Sequence, residues 1–136
     1  MSIESNKQIV RRYQDAYNSN DLDALQNIMA EDVLTPTIIP GFPKGLEGAK
    51  AIHRKTLIGM PDAHTRIDEL IAEADRVVAR HTLTGTHTGD FFGIPATGKE
   101  ISVSGVYIVR IADDKIVEHW GIEDEAGLLR QLGVIP

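Results

Sequence analysis

The sequence has no cysteine and no long run of apolar residues. Without cysteine, the chain has neither a disulfide framework nor a thiolate for catalysis or metal binding. No apolar stretch approaches the roughly 20 residues that a membrane-spanning helix needs. The first residues, Met1-Ser-Ile-Glu-Ser-Asn6, are too polar for a signal peptide. We therefore expect a cytoplasmic protein that does not cross a membrane.

Basic residues are also few. The chain has 14 Lys and Arg residues against 20 Asp and Glu residues, which gives a formal net charge of -6. Sequence-independent binding to nucleic acid needs a positive surface that displaces counterions, and anionic membranes attract basic segments. The charge therefore argues against both nucleic acid and a membrane surface as partners.

The remaining composition is that of one ordinary domain, residues 1–136. With 42% hydrophobic and 25% charged residues, the chain is long enough for one core but not for two. Helices come first in the predicted order of elements. We predict a helix over residues 6–18 with Ser5 as its N-cap, a shorter helix capped by Asp21, a strand from Val33 to Ile39, and a third helix from Leu46 to about Pro61.

Strands dominate the second half of the chain. β-branched residues at a period of two predict four of them, over residues 64–72, 76–87, 100–111 and 115–122. Ala74-Asp75 and Asp113-Asp114 are turn pairs, so the strands form two hairpins. A closing helix begins after Asp124 and ends at Gly133. Three helices, four antiparallel strands and a closing helix make an α+β fold.

The second turn decides which side chains share a face of the sheet. With a two-residue loop, Tyr107 lies opposite Trp120, and directly opposed residues of an antiparallel pair project to the same side. Alternation adds Ile122 and Asp124 to that side and puts His119 on the other, unless a bulge intervenes. We predict that Tyr107, Trp120, Ile122 and Asp124 face one cavity.

Three further side chains complete the predicted cavity. Tyr13 and Tyr17 of the first helix close it. His81 lies opposite Asp68 across the first hairpin, an arrangement that would fix its tautomer, although a hydrogen-bonded core pair is the commoner outcome. Whether His81 faces the cavity depends on the register across residues 89–99, since a slip of one residue reverses the assignment.

Two apparent motifs carry no function. The segment Gly93-Ile-Pro-Ala-Thr-Gly-Lys99 has the spacing of a phosphate-binding loop, but Glu100 follows in place of Ser or Thr, and a strand follows in place of a helix. The five histidines are scattered, without a His-x-x-x-His pair. We expect no metal site.

The second face of the sheet is also apolar. It carries Ile67, Ile71, Val78, Val106 and Ile108. One domain has too few helices to cover both faces, so packing against a second copy would bury this one. We therefore expect a homodimer or a higher homo-oligomer.

Asp124 has two possible roles, one catalytic and one structural. It follows the strand that carries the single tryptophan, and an acid over an apolar floor can act as a general acid or base. Its flanking residues Glu123 and Glu125, together with desolvation, would raise its pKa. An acid at the start of a helix also caps that helix without any catalytic role. The residues alone leave the two readings open.

Several segments together resemble a known family. They are residues 6–12, 21–25, 85–99, 115–120 and 124–133, which cover nearly the whole chain in order. Their sequence is similar to that of the SnoaL-like polyketide cyclases, which belong to the nuclear-transport-factor-2-like superfamily. The resemblance implies a cone-shaped barrel, in which a strongly curved antiparallel sheet packs on N-terminal helices and a short C-terminal helix, around a deep apolar pocket.

The resemblance also implies a reaction. These cyclases close a ring of an aromatic polyketide by intramolecular aldol condensation, without cofactor or metal. Their catalytic acid falls on Asp124, an assisting histidine falls on Tyr107, and a preceding glutamine falls on Gly105. A tyrosine can still donate a hydrogen bond to an enolate oxygen, whereas a glycine cannot.

These observations lead to three functional hypotheses. In the first, Asp124 moves a proton next to a carbonyl and Tyr107 stabilises the developing oxyanion. Trp120, Ile122, His81, Tyr13 and Tyr17 would then bind an apolar small-molecule substrate. In the second, the same pocket holds an apolar small molecule without transforming it. The third is an isomerase or an epoxide hydrolase on the same scaffold, of which the hydrolase usually needs two acids bridged by an arginine.

Overall fold

The computed structural model describes residues 2–37 and 39–136. Its first element is helix α1 (Ile3–Asn18), which begins at the N-cap Ser2. The Ser2 hydroxyl accepts a hydrogen bond from the Ser5 backbone N–H, and the Ser5 hydroxyl accepts one from the Ser2 N–H. The predicted helix is confirmed, but the predicted cap at Ser5 is wrong, because this reciprocal pair forms one turn earlier.

The next elements are a 3₁₀ helix (Leu22–Asn27), strand β1 (Met29–Leu34) and helix α2 (Gly45–Gly59). The Asp21 carboxylate caps the 3₁₀ helix by accepting from the Ala24 N–H at 3.2 Å, as predicted. The strand predicted from Val33 to Ile39 begins four residues earlier and ends at Leu34. Ile38, part of that prediction, lies outside the described residues.

Four longer strands and a helix complete the chain: β2 (His64–Glu73), β3 (Arg76–Thr86), β4 (Glu100–Ala112), β5 (Lys115–Glu123) and α3 (Glu125–Leu132). The sheet order is β1-β5-β4-β3-β2, with β1 parallel to β5 and the other pairs antiparallel. The α+β fold is confirmed. None of the helices in the described part of the chain is both long and apolar enough to cross a membrane.

The second hairpin turn forms as predicted, but the strand that follows contains a bulge. Asp113 and Asp114 have φ values of 51° and 59°, as in a two-residue type I′ turn, and Ala112 pairs with Lys115. The next steps pair Ile111 with Ile116 and then Arg110 with Glu118, which leaves Val117 as an extra residue on β5. Every side chain of β5 beyond Val117 therefore faces opposite to the predicted side.

Strand β2 contains a similar irregularity. Glu69 pairs with Arg80 as predicted, but the next pair is Ile67 with His81, so Asp68 is the extra residue. The predicted pairing of Asp68 with His81 is wrong, and Ile67 turns to the core side. Asp68 instead accepts hydrogen bonds from Thr82 and Arg66.

The register between β3 and β4 is regular. It therefore determines which face of the sheet His81 lies on, which the loop at residues 89–99 had left open. His81 pairs with Gly105, and Ala79 pairs with Tyr107, so all four residues lie on the concave inner face. Helix α1 packs on this face near β2 and β3 and buries Ile9, Val10 and Tyr13 there. A smaller apolar cluster lies at the other end of the sheet, where Leu128 and Leu132 of α3 pack. The candidate site lies between this cluster and the core that α1 covers.

Candidate active site

The bulge at Val117 determines which side chains of β5 reach the interior. His119 pairs with Val109, and Gly121 pairs with Tyr107, so both residues lie on the inner face. Trp120 pairs with Ile108 on the outer face, where 41% of its surface is exposed. The prediction that Trp120 points into the cavity and His119 points away is wrong, because one extra residue reverses strand alternation.

A deep cavity of about 890 Å³ opens between the concave face, α1, α2 and the loop before β4. Its apolar wall includes Met29, Ala49, Ile52, Leu83, Phe91 and Ile94. This volume lies within the range of small-molecule sites, which combine an apolar lining with a few polar groups.

A cluster of aromatic side chains forms the floor of the cavity. The Tyr13 hydroxyl lies 3.2 Å from His119 Nε2, and the His119 ring stacks on Tyr107 with centroids 5.1 Å apart. The Tyr107 hydroxyl donates to Gln14 Oε1 at 3.1 Å. Tyr17 extends the cluster, with its ring centroid 4.8 Å from that of Tyr13. The floor therefore presents hydroxyl and imidazole groups in fixed orientations.

Burial sets the protonation states of this cluster. Burial, with a smaller contribution from nearby His81, lowers the pKa of His119 to about 4, so the ring is neutral at neutral pH. Burial also raises the pKa of Tyr17 to about 12 and raises those of Tyr13 and Tyr107 above their usual range. The phenols are thus hydrogen-bond donors at neutral pH, and a neutral His119 ring can accept the Tyr13 proton at Nε2.

His81 and Glu123 meet above Gly105 on the same inner face. Gly105 pairs with His81 on one side and with Glu123 on the other. A Cβ atom at position 105 would lie 2.7 Å from His81 Cε1 and 2.9 Å from Glu123 Cγ. The glycine therefore leaves space that the two side chains share.

These two groups also have shifted pKa values. Burial lowers the pKa of His81, partly offset by the charge of Asp68. Burial raises the pKa of Glu123, and the charge of Glu125 raises it further. Glu123 is an exposed residue at the cavity wall, but the protein atoms around its carboxyl group still disfavour the charged form.

The structure separates the seven predicted site residues into three groups. Tyr107, His81, Tyr13 and Tyr17 all line the cavity. Ile122 lies at its rim with 73% of its surface exposed. Trp120 and Asp124 are not among the residues that line it.

Asp124 occupies the helix-capping position. Its Oδ1 accepts a hydrogen bond from the Gly127 N–H at 2.9 Å at the start of α3, and its side chain is exposed. The expectation that it points into the cavity with Tyr107 is wrong, since the bulge makes Glu123 the inward-facing acid. Its catalytic role stays a prediction.

Sequence reasoning missed His119 and Glu123 as lining residues. In the segment His119-Trp-Gly-Ile-Glu123, residues 119, 121 and 123 alternate and therefore share one face of the strand. The bulge determines that this face is the inner one. His53 was also missed. It is buried, its Nε2 lies 3.1 Å from Asn20 Oδ1, and its ring contacts Tyr17. In the described part of the chain, no three His, Asp or Glu side chains come close enough together to hold a metal ion.

The protein is a single α+β domain, and its deep, mostly apolar cavity contains ionisable side chains. Such a cavity can bind a small molecule and perform acid–base chemistry on it. A family model described as SnoaL-like polyketide cyclase matches residues 7–132. The chain belongs to this family.

Individual relatives agree with this assignment. The chain is 32% identical over 128 residues to the aklanonic acid methyl ester cyclase DnrD of Streptomyces peucetius, covering 92% of this chain and 88% of that protein. It is 32% identical over 125 residues to the nogalonic acid methyl ester cyclase of Streptomyces nogalater, covering 87% and 90%. Among solved structures, TsrD from Streptomyces laurentii superimposes with a TM-score of 0.90 at 32% identity, covering 99% of each chain.

Proposed function

We propose that this protein catalyses an intramolecular aldol cyclisation of a polyketide ester, without a cofactor. The observation that carries the proposal is the set of ionisable groups facing one cavity of about 890 Å³: Glu123, His81 and His119, with the Tyr107 hydroxyl beside them. A base and several neutral donors that face one cavity are what enolate chemistry needs.

The reaction consists of a deprotonation, the formation of a carbon–carbon bond and a protonation. A base removes a proton from the carbon next to a carbonyl, and the C–H electrons form the new C–C bond to a second carbonyl carbon. The π electrons of that second carbonyl move to its oxygen, which takes up a proton. Tyr107 can donate a hydrogen bond to a developing oxyanion if its proton turns from Gln14 Oε1 toward the substrate.

Charge in the cavity favours a neutral ester over a free acid. Among the described residues that line the cavity there is no Lys or Arg, whereas Glu123 and Glu125 lie at its wall. A substrate carboxylate would lack a cation to pair with and would be repelled by both acids. The relatives from Streptomyces peucetius and Streptomyces nogalater are methyl ester cyclases, which agrees with this preference.

The family resemblance implies that Asp124 is the catalytic acid, and this role is our second candidate. Strand geometry supports Glu123 instead, because Glu123 lines the cavity and the Asp124 carboxylate caps α3. Asp124→Asn and Glu123→Gln separate the two assignments, since each removes one carboxylate with little change in size.

The alternatives receive less support. A binding protein for an apolar ligand has no need for several ionisable groups in its cavity. An epoxide hydrolase of the two-acid type needs an arginine that bridges the acids, and no arginine lines the cavity in the described part of the chain.

The experiment is incubation of the protein with aklanonic acid methyl ester and, separately, with nogalonic acid methyl ester. We expect a product of unchanged mass with a new carbon–carbon bond, detected by mass spectrometry and by ¹³C NMR. Tyr107→Phe should reduce kcat by about 10-fold or more, since it removes one oxyanion donor. Tight binding of either ester without any product would support the binding protein instead.

We also propose that two copies associate through the outer face of the sheet. A row of Trp120, Ile108, Val78 and Ile71 crosses four strands there, and Trp120 and Ile71 are 41% and 55% exposed. The adjacent Arg110–Glu118 ion pair leaves no unbalanced charge beside this apolar row.

Light scattering during size-exclusion chromatography tests this second proposal. We expect the mass of a dimer for the wild type and that of a monomer for Ile71→Arg. A monomeric wild type would contradict it without affecting the catalytic proposal.

The cytoplasmic location that we expect from the sequence stays a prediction.

A further inference from the structure

The space above Gly105 brings together two groups that sequence reasoning did not combine. Three neighbouring strands place His81, Gly105 and Glu123 side by side on the inner face. The position of a Cβ at residue 105 lies 2.8 Å from His81 Nε2 and 2.9 Å from Glu123 Cγ. Any side chain at this position would push the imidazole and the carboxylate apart.

The environment of His81 defines its tautomer. Only 5% of the residue is exposed, and its Nδ1 is buried without a hydrogen-bond partner among the described residues. A buried N–H without an acceptor costs more than an unpaired lone pair, because orphaned N–H donors are rarely tolerated. The proton of the neutral ring therefore belongs on Nε2, the atom that lies above Gly105.

Glu123 is free to act as a base. Its carboxylate forms no ion pair or hydrogen bond with the described residues, although it lines the cavity. Asp68, which sequence reasoning paired with His81, is held by Thr82 and Arg66. The acid that faces the His81 ring across Gly105 is thus Glu123.

We propose that Glu123 and His81 form the proton-transfer pair of the site, and that Gly105 is the positioning residue that lets them converge. This proposal rests on the cyclisation proposed above. The Glu123 carboxylate removes the proton from the carbon next to the ester or ketone carbonyl. His81 Nε2–H donates a hydrogen bond to the oxygen on which the enolate charge develops. After the C–C bond forms, the Glu123 carboxyl returns its proton to the new alkoxide, and both side chains regain their starting state.

Kinetics with aklanonic acid methyl ester form the first test. We expect Glu123→Gln to reduce kcat by about 100-fold or more and His81→Asn to reduce it by about 10- to 100-fold, with smaller changes in KM. Gly105→Ala should also reduce kcat, and Ser104→Ala, an exposed neighbour on the same strand, is the matched control and should leave kcat unchanged. A Glu123→Gln variant with kcat within threefold of the wild type would overturn the proposal.

A second test does not depend on turnover. Acetylacetone, a small molecule that enolises readily, serves as the probe in ¹⁵N and ¹³C NMR titrations. We expect the Nε2–H tautomer of His81 in the free protein, and shifts of the His81 ring and the Glu123 carboxyl on titration that are lost in Gly105→Ala. An Nδ1–H tautomer, or no response of either group, would refute the pair. A wild type that passes this test and cyclises no ester would instead refute the proposed reaction and leave the pair standing.

Discussion

Protonation of His119 is expected to destabilise the fold at mildly acidic pH. Burial lowers the pKa of the folded His119 to about 4 from an ordinary 6.5. Above pH 6.5, neither the folded nor the unfolded ring carries the extra proton, so the full contribution of His119 to stability is present. Between the two pKa values only the unfolded ring is protonated, and the free energy of unfolding falls as the pH falls.

The size of this effect follows from the pKa difference, which corresponds to about 3 kcal/mol. A domain of this length has a total stability of roughly 5–15 kcal/mol, so the loss is large enough to measure. Below the folded pKa both states are protonated, and His119 causes no further change.

Urea unfolding followed by circular dichroism, at pH values from about 7 to about 4, measures the effect. The buried histidines His53 and His81 titrate in every variant, so the relevant quantity is a difference between proteins. We expect the stability of the wild type relative to His119→Gln to decrease by about 3 kcal/mol across this range. His64→Gln removes an exposed histidine and serves as the control substitution. Parallel curves for the wild type and His119→Gln would refute the assigned burial of the ring.

Substitutions at three positions test other parts of the structure. Asp124→Asn should keep the helix cap and leave stability within about 0.5 kcal/mol, whereas Asp124→Ala loses the bond to Gly127 and should cost about 1 kcal/mol in urea unfolding. If Glu123 is the base, Asp124→Asn should also keep turnover within about threefold of the wild type, and a loss of about 100-fold would restore Asp124 as the acid. Gly59→Ala should lower the melting temperature, because its Cβ would lie 2.7 Å from Phe91 Cβ and the loop before β4 would have to move; an unchanged melting temperature would contradict this contact. Leu25→Ala empties a fully buried core position and should cost about 2–5 kcal/mol in urea unfolding, while a cost below about 1 kcal/mol would mean that the site collapses or is not buried.

Local sequence signals predicted most of the elements. The capping carboxylate of Asp21, the type I′ turn at Asp113-Asp114 and the left-handed Gly133 after α3 all form where turn and cap chemistry puts them. These features depend on a few neighbouring residues, whose conformational preferences the sequence shows directly. The family, and with it the fold, also followed from the order of short motifs.

The cap of α1 shows the limit of such signals. Both Ser2 and Ser5 suit the first turn of a helix, and the reciprocal bonds between their hydroxyls and backbone N–H groups favour the earlier start. Element boundaries of this kind depend on small energy differences between adjacent positions.

The composition of the site depended on two bulges that no local pattern revealed. Val117 is an extra residue on β5 near the point where β1 pairs with that strand from the other side, and Asp68 is an extra residue on β2. Whether a strand contains a bulge depends on its partners on both edges and on the packing of each face. Those partners are distant in sequence, so the period-two pattern alone gave the wrong side for β5.

The sequence by itself determined the class of fold, the turns and the family, because propensities and short motifs act over a few residues. Tertiary structure alone decided that His119 and Glu123 enter the cavity while Trp120 leaves it and Asp124 caps α3. The physical reason is that side-chain direction in a strand reverses with every residue. One inserted residue, placed by the packing of five strands, therefore exchanges the entire set of groups that can reach a substrate.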